Sequence, residues 1–342
     1  MTTSTGRSDG RALLPFAVFL LFYLGLSLWS GDFYAVPMPT AFIAASAAAL
    51  IMGKKPLEEK VEIYARSMGE SNIMLMVLIF ILAGAFAAVA KSSGAVDSAV
   101  LIARHLIPDR LLASGIFLVS CFISLAIGTS CGTIAALTPV ALGLPGAADV
   151  PTSLMLGAVA GGAMFGDNLS MISDTTIAAT RTQDVAMQDK FKVNFRLVLP
   201  CAVLVLLIYL FAGSGADGTA QPQLPPLLWK HGVLILPYIL LLVLALAGWN
   251  VMILLGAGTV LAGVIGIFSG TLTFRTALDV CGKGVLGMSE TLIVALLAGG
   301  LLAMIRFHGG VAYLLNAVTR KIRTARGAET GVFFLTGIIQ SL

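Results

Sequence analysis

The sequence predicts an all-α polytopic membrane protein of about ten transmembrane segments, built as two inverted repeats with broken or re-entrant helices, the second repeat incomplete. Three observations predict this class. The 342-residue chain is 58% hydrophobic and 11% charged. Its apolar residues gather into runs near the ~20 residues a helix needs to cross a bilayer. Among those runs lies Gly166-Asp-Asn-Leu-Ser-Met-Ile-Ser-Asp-Thr-Thr176, two acids and a row of hydroxyls. Lipid offers such groups no partner, so they persist at membrane depth only where protein or water lines them.

In chain order, the first run is Leu13–Ser30, preceded by Arg7 and Arg11. It is long for a signal peptide, and no small-x-small cleavage site precedes Gly31-Asp32, so it reads as a retained helix. Pro37–Gly53 follows, then a loop over 54–71 carrying Lys54, Lys55, Lys60 and Arg66. After Ile73–Ala90, the stretch 91–110 bears Lys91, Arg104 and Arg110, which alternation places outside; an amphipathic surface helix there eases that conflict. Leu111–Ile127 and two polar segments, 124–144 and 158–180, complete a first repeat over 1–181. Residues 182–226 form a linking helix, through Phe195–Gly213, and the loop Ser214–Pro226, which has no Lys or Arg and reads as external. The second repeat, 227–342, holds Leu227–Ala247, Val251–Ser269, Leu292–Ile305 and a final run Gly331–Leu342. Arg181, Lys190, Lys192 and Arg196, and later Arg306, Arg320, Lys321, Arg323 and Arg326, mark cytoplasmic loops, which places the N-terminus in the cytoplasm.

Composition also excludes. The net charge of +4 comes from loop cations with no basic, aromatic-studded face, so nucleic acid is not a partner. No P-loop supports an ATP-driven pump. Cys121, Cys131, Cys201 and Cys281 form no C-x-x-C pair and read as core fillers, and His105, His231 and His308 lack metal-ligand spacing. No enzyme activity and no cofactor are expected.

The halves resemble each other. Lys91-Ser-Ser-Gly94-Ala-Val96 matches Arg306-Phe-His-Gly309-Gly-Val311, Gly84 falls in register with Gly299, and Leu13-Leu14 with Leu228, all about 215 residues apart. Met68-Gly-Glu70 corresponds to Met288-Ser-Glu290 after a small gap. The external loop reverses the second copy, the arrangement of transporters whose sites lie where discontinuous helices meet. The mate of segment 128–139 is expected to lie outside this chain.

Two segments carry chemistry. In the first, Gly128 and Gly132 bracket Thr129, Ser130 and Cys131, with Thr133 following and Pro139 further on. Glycine permits unwinding, and freed carbonyls and hydroxyls can ligate Na⁺, or a half-helix N-terminus can hold an anion. A plain helix packed through its small residues is the other reading. In the second, Gly157, Gly161, Gly162 and Gly166 precede Asp167, Asn168, Ser170, Ser173, Asp174, Thr175 and Thr176. Asp167 and Asp174, seven apart, share a face of a continuous helix. Burial, and a second acid nearby, raise a carboxyl pKa, which lets H⁺ compete with Na⁺. Asp174 before Thr-Thr-Ile-Ala-Ala can equally be a helix cap, so Asp167 is the first choice of titrating group. Glu290 reads as an interfacial anchor, and Asn72 and Asn250 as helix ends.

Phe165-Gly-Asp-Asn-Leu-Ser-Met-Ile-Ser-Asp-Thr-Thr176 resembles the signature of the NhaC-type Na⁺/H⁺ antiporters of the ion transporter superfamily. Ile127–Pro139 resembles their other polar, helix-breaking segment, and Asn72-Ile-Met-Leu and Asp189–Arg196 also fit. The resemblance implies a multi-pass protein of the bacterial inner membrane exchanging Na⁺ for H⁺ by alternating access, with membrane lipid as its surroundings. Asp167, Asn168, Ser170, Ser173, Asp174 and Thr175 then carry over as ion-site residues, with Na⁺ at Asp167 and Asp174, and Gly128–Thr133 as the facing segment. A Na⁺- or H⁺-coupled carrier of a small organic acid or amino acid, clamped by Arg181 or by a half-helix N-terminus at the site, is the first rival reading; a channel or non-transporting scaffold is the second. A homodimer is left open.

Overall fold

The structure, a computed structural model, describes residues 9–32, 36–106, 108, 111–143, 150–170, 173, 176, 180, 185–212, 225–247, 249–319 and 327. Among them the secondary structure is helical, without a strand. After a 3₁₀ turn at Gly10–Leu13 come α1 (Leu14–Ser30), α2 (Met38–Ile51), α3 (Leu57–Met68), α4 (Ser71–Ser92) and α5 (Ala95–Leu106). Next are α6 (Leu112–Ile127), α7 (Ser130–Gly143), α8 (Thr152–Leu169) and α9 (Met187–Ala212). The remainder are α10 (Trp229–Leu234), α11 (Leu236–Leu246), α12 (Val251–Phe268), α13 (Phe274–Gly287), α14 (Ser289–Phe307) and α15 (Gly310–Thr319).

Five stretches are long and apolar enough to span a bilayer: Gly10–Ser30, Ser71–Ser92, Gln188–Ala212, Val251–Phe268 and Phe274–Phe307. Shorter apolar helices cover Met38–Ile51, Leu112–Leu125, Ser130–Gly143 and Trp229–Leu241. This is a polytopic helical membrane protein. Local chemistry sets the boundaries. Asn250 caps α12 by accepting the Met252 N–H at 2.8 Å. The Leu227–Ala247 run divides into α10 and α11 at Ile235, just ahead of Pro237, whose ring nitrogen has no hydrogen to give. The Phe195–Gly213 run starts eight residues earlier as helix, at Met187. Asp189, Lys190 and Lys192 are polar yet helix-compatible, so an apolar window omits them. Around 91–110 the expected amphipathic helix is α5, with Ala95, Val96, Ser98 and Ala99 buried.

The chain forms two compact units, one of residues 1–77 and 289–342, the other of 78–288. In the first, Phe42, Ala45 and Ala49 of α2 and Tyr64 of α3 pack with Leu301, Met304 and Ile305 of α14. The Tyr64 hydroxyl donates to the Leu297 carbonyl at 3.0 Å, and burial pushes its phenol above the ordinary value. The end of α2 leaves carbonyls without helical partners. Buried Lys60 donates to the Met52 carbonyl at 3.0 Å, and His308 Nε2–H to the Ala49 carbonyl at 3.3 Å. A cation or ring N–H there also suits the negative end of the helix dipole.

In the second unit, α6 and α8 approach through glycines. A Cβ on Gly162 would collide with the Phe117 carbonyl oxygen, and one on Gly166 with that of Cys121. Four-residue spacing stacks both glycines on one face, the close-approach geometry of membrane helices. Ser124 donates across the same interface to the Ala163 carbonyl. A further core joins Phe86 and Val89 of α4 to Leu254, Leu255 and Ala262 of α12.

The two units carry matching contacts. In the first, Gly299 of α14 meets Ile73, whose Cδ1 fills the place of a Cβ; in the second, Gly84 of α4 meets Met288, with 2.7 Å from a built Cβ to Met288 Cγ. Each partner is displaced by about 215 residues. Gly94 and Gly309, in register at that offset, both turn the chain with φ of 86° and 87°. His308 reaches α2 at Ala49, and Ser93 reaches α12 at Gly266, where a Cβ would stand 3.1 Å from Ser93 Cβ. Thus α14 packs with α2 and α3, while α4 packs with α12 and α13.

Gly166→Ala is expected to cost about 1–3 kcal/mol by forcing α6 and α8 apart, seen as a lower melting temperature in detergent, whereas Gly256→Ala, with open space at its Cβ, should leave it unchanged. Burial, with Lys60 nearby, holds the His308 imidazole below its ordinary value against the opposing pull of its bond to Ala49. The unfolded chain therefore takes up that proton first, so His308 contributes stability above about pH 6.5 and loses it as pH falls below that value. Melting curves of wild type and His308→Gln across pH 5–8 should show a shallower acid-side slope in the variant.

Candidate functional site

The site forms where α6 and α7 are interrupted beside the end of α8. Helix α6 stops at Ile127 because Gly128 adopts φ 77°, ψ 24°, a left-handed turn that L side chains resist. Its N–H closes onto the Ser124 carbonyl at 2.8 Å, and the chain restarts as α7 at Ser130. Thr129 caps the new helix, its hydroxyl accepting the Gly132 N–H at 3.4 Å. Thr133, fully buried, returns its hydroxyl to the Thr129 carbonyl at 3.0 Å. A Cβ on Gly132 would stand 2.6 Å from Val251, so this glycine lets α7 close on the start of α12. Of the hydroxyls in this segment, that of Ser130 reaches Asp167, donating to Oδ2 at 3.0 Å.

Asp167 lies in the last turn of α8, one residue after Gly166, so the glycine packing on α6 fixes its position. Its Oδ2 is held by Ser130; its Oδ1 is buried and, among the described residues, accepts no hydrogen bond. An ionised oxygen buried without a donor carries a large desolvation cost, so this atom is built to receive something. The first turn of α7, with its positive dipole end, provides the complementary field. Oxygen ligands suit a hard monovalent cation, and a carboxylate can take a proton instead. Among the described residues no three His, Cys, Asp or Glu side chains gather.

Past Leu169 the helix ends as the Ser170 N–H folds onto the carbonyls of Gly166 and Asp167, at 2.9 and 3.2 Å. Ser170, Ser173 and Thr176 are buried, with Thr180 Oγ1 donating to the Thr176 carbonyl at 2.9 Å. Asn168 is exposed and faces α9: its Oδ1 accepts from Asn194 Nδ2 at 2.9 Å, and its carbonyl from Lys190 Nζ. Lys190 Nζ also donates to Thr176 Oγ1 at 2.9 Å and lies within Coulombic reach of Asp167. Asp174, Thr175 and Arg181 lie outside the described residues. Lys190 and Asn194 were not singled out as site residues from sequence, where Lys190 reads as a topology charge; their spacing of four, one helix face, is the signal that was there. A cavity of about 830 Å³ elsewhere in the second unit, lined by Asp97, Trp229 and Phe268, contains none of these groups.

A bundle of apolar helices with a half-buried carboxylate, one oxygen fully enclosed, at a helix break is the construction of a secondary ion transporter. The chain belongs to the Na⁺/H⁺ antiporter family, whose profile matches residues 14–214. It is similar to the Na(+)/H(+) antiporter NhaC of Bacillus subtilis (strain 168), 27% identical over 84% of this chain and 69% of that protein. It is 30% identical to NhaC of Alkalihalophilus pseudofirmus over 42% of this chain and 32% of that one. The malate-2H(+)/Na(+)-lactate antiporter of B. subtilis is 26% identical over 42% of this chain and 31% of its own length. No solved structure matches the chain.

Ser130→Ala removes the donor to Asp167 Oδ2 without touching the helix break. A hydrogen bond to an ionised partner is worth about 1.5–3 kcal/mol, so Na⁺-dependent activity is expected to need at least tenfold more Na⁺, measured as half-saturation in reconstituted vesicles.

Proposed function

We propose that this protein is a secondary active transporter exchanging Na⁺ for H⁺ across the bacterial inner membrane by alternating access, with a cytoplasmic N-terminus. The observation that carries the reading is Asp167: one oxygen anchored by Ser130, the other buried and unpartnered. Such a carboxylate binds a cation or a proton but not both, and that exclusivity is what couples two gradients. Ser130, Asn168, Ser170, Ser173 and Thr176, with Asp174 and Thr175 next in the chain, supply the neutral and acidic oxygens around it. The matching contacts of α4 and α14 support an internal duplication, which we read as two repeats of opposite orientation, 1–181 and 227–342, joined by 182–226. The name and coverage of the NhaC relative favour Na⁺ and H⁺ as the exchanged pair.

A second reading, coupling to a small organic acid, is favoured by the malate/lactate relative and by the Lys190 ammonium beside the site. Protein in liposomes loaded with a pH-sensitive dye separates the two. Addition of Na⁺ alone to the outside should alkalinise the lumen, as Na⁺ enters and H⁺ leaves. A response that appears only with an added carboxylic acid selects the second reading. Asp167→Asn should insert and fold yet lose the response by at least a hundredfold; a normal response in that variant removes Asp167 from the exchange.

A further inference from the structure

Lys190 is placed against the preference of its own helix. It sits in the opening turns of α9, where the dipole is positive and a cation is disfavoured, while Asp189 beside it is the residue that suits that end. Its ammonium instead crosses to the carbonyl end of α8, donating to the Asn168 carbonyl and, at 2.9 Å, to Thr176 Oγ1. Asn194, one turn on, holds the Asn168 side chain at 2.9 Å and fixes the register of the two helices. A backbone carbonyl and a threonine hydroxyl are also the neutral oxygens that a hard cation takes. The ammonium thus occupies the carbonyl of the residue that follows Asp167, and its field reaches that carboxylate.

We propose that Lys190 is a tethered cation that stands in for Na⁺ at the Asp167 site when the site is empty and withdraws from Asn168 and Thr176 when Na⁺ enters. The inference rests on the exchange reading above and assigns Lys190 a positioning role within it. Two cations compete for one carboxylate and its neighbouring oxygens, so the lysine weakens Na⁺ binding and, in return, keeps a compensating positive charge beside the carboxylate of the empty carrier during its return across the membrane.

The test is ²²Na⁺ binding to the detergent-purified protein together with flux in liposomes. Lys190→Met is expected to bind Na⁺ about tenfold more tightly, the scale of one nearby unit charge, while kcat for exchange falls about tenfold or more. Lys190→Arg, which keeps the charge, should bind Na⁺ within about threefold of wild type. A purely structural tether predicts the opposite sign, weaker Na⁺ binding on its loss. Unchanged or weaker binding by a folded Lys190→Met overturns the proposal while leaving Na⁺/H⁺ exchange standing. Should that variant not fold, Lys190→Gln, uncharged but still a donor to both oxygens, takes its place: tighter Na⁺ binding supports the tethered cation, and unchanged or weaker binding overturns it. Absence of Na⁺ binding to the wild type overturns the proposal and the exchange reading together.

Discussion

The backbone contact between α6 and α8 is the constraint from which the site follows. Gly162 and Gly166 place α8 directly on the Phe117 and Cys121 carbonyls, a separation that no side chain larger than hydrogen permits. Asp167 is the next residue, so its carboxylate is carried to the level where α6 ends. The left-handed turn at Gly128 then swings the chain so that Ser130 meets Asp167. Packing, helix interruption and the polar contact form one chain of cause. In lipid, where apolar surface gives helices no reason to prefer each other over acyl chains, such tight van der Waals contact is what association depends on.

Much of this was legible in the sequence because lipid enforces simple rules. Runs of apolar residues became helices where expected, and the interruption after Ile127 followed from Gly128. The helix expected around 91–110 is present as α5. What the sequence did not reveal was selection among equals. Thr129, Ser130 and Thr133 have the same chemistry on paper. Helix capping engages Thr129, bonding back to the preceding turn engages Thr133, and Ser130 is left to face Asp167. The roles of Lys190 and Asn194 were hidden for a different reason: their partner, Asn168, is more than twenty residues away, and a loop charge and a site charge look identical along a sequence.

The polar groups at the open end of α2 and at the crossing of α3 with α14 are each satisfied. Lys60 and His308 attend the open end of α2, and Tyr64 finds the Leu297 carbonyl. These groups hold a helix terminus or an interhelical crossing, and none leaves a charged oxygen unmet. Asp167 Oδ1 differs from them in that respect, and the difference separates a group that serves the fold from one that serves a visitor.

The exchange of helices between the two matching stretches bears on how the protein is made. Helix α4 emerges from the ribosome early, yet Phe86 and Gly84 find Gly258 and Gly284 only after some 170 to 200 further residues have been synthesised. Tyr64 and Lys60 sit on a helix that meets α14 later still. The nascent chain therefore waits in the bilayer with half-formed partners, and the translocation machinery or surrounding lipid must shelter those faces until the late helices arrive to lock the early ones in place.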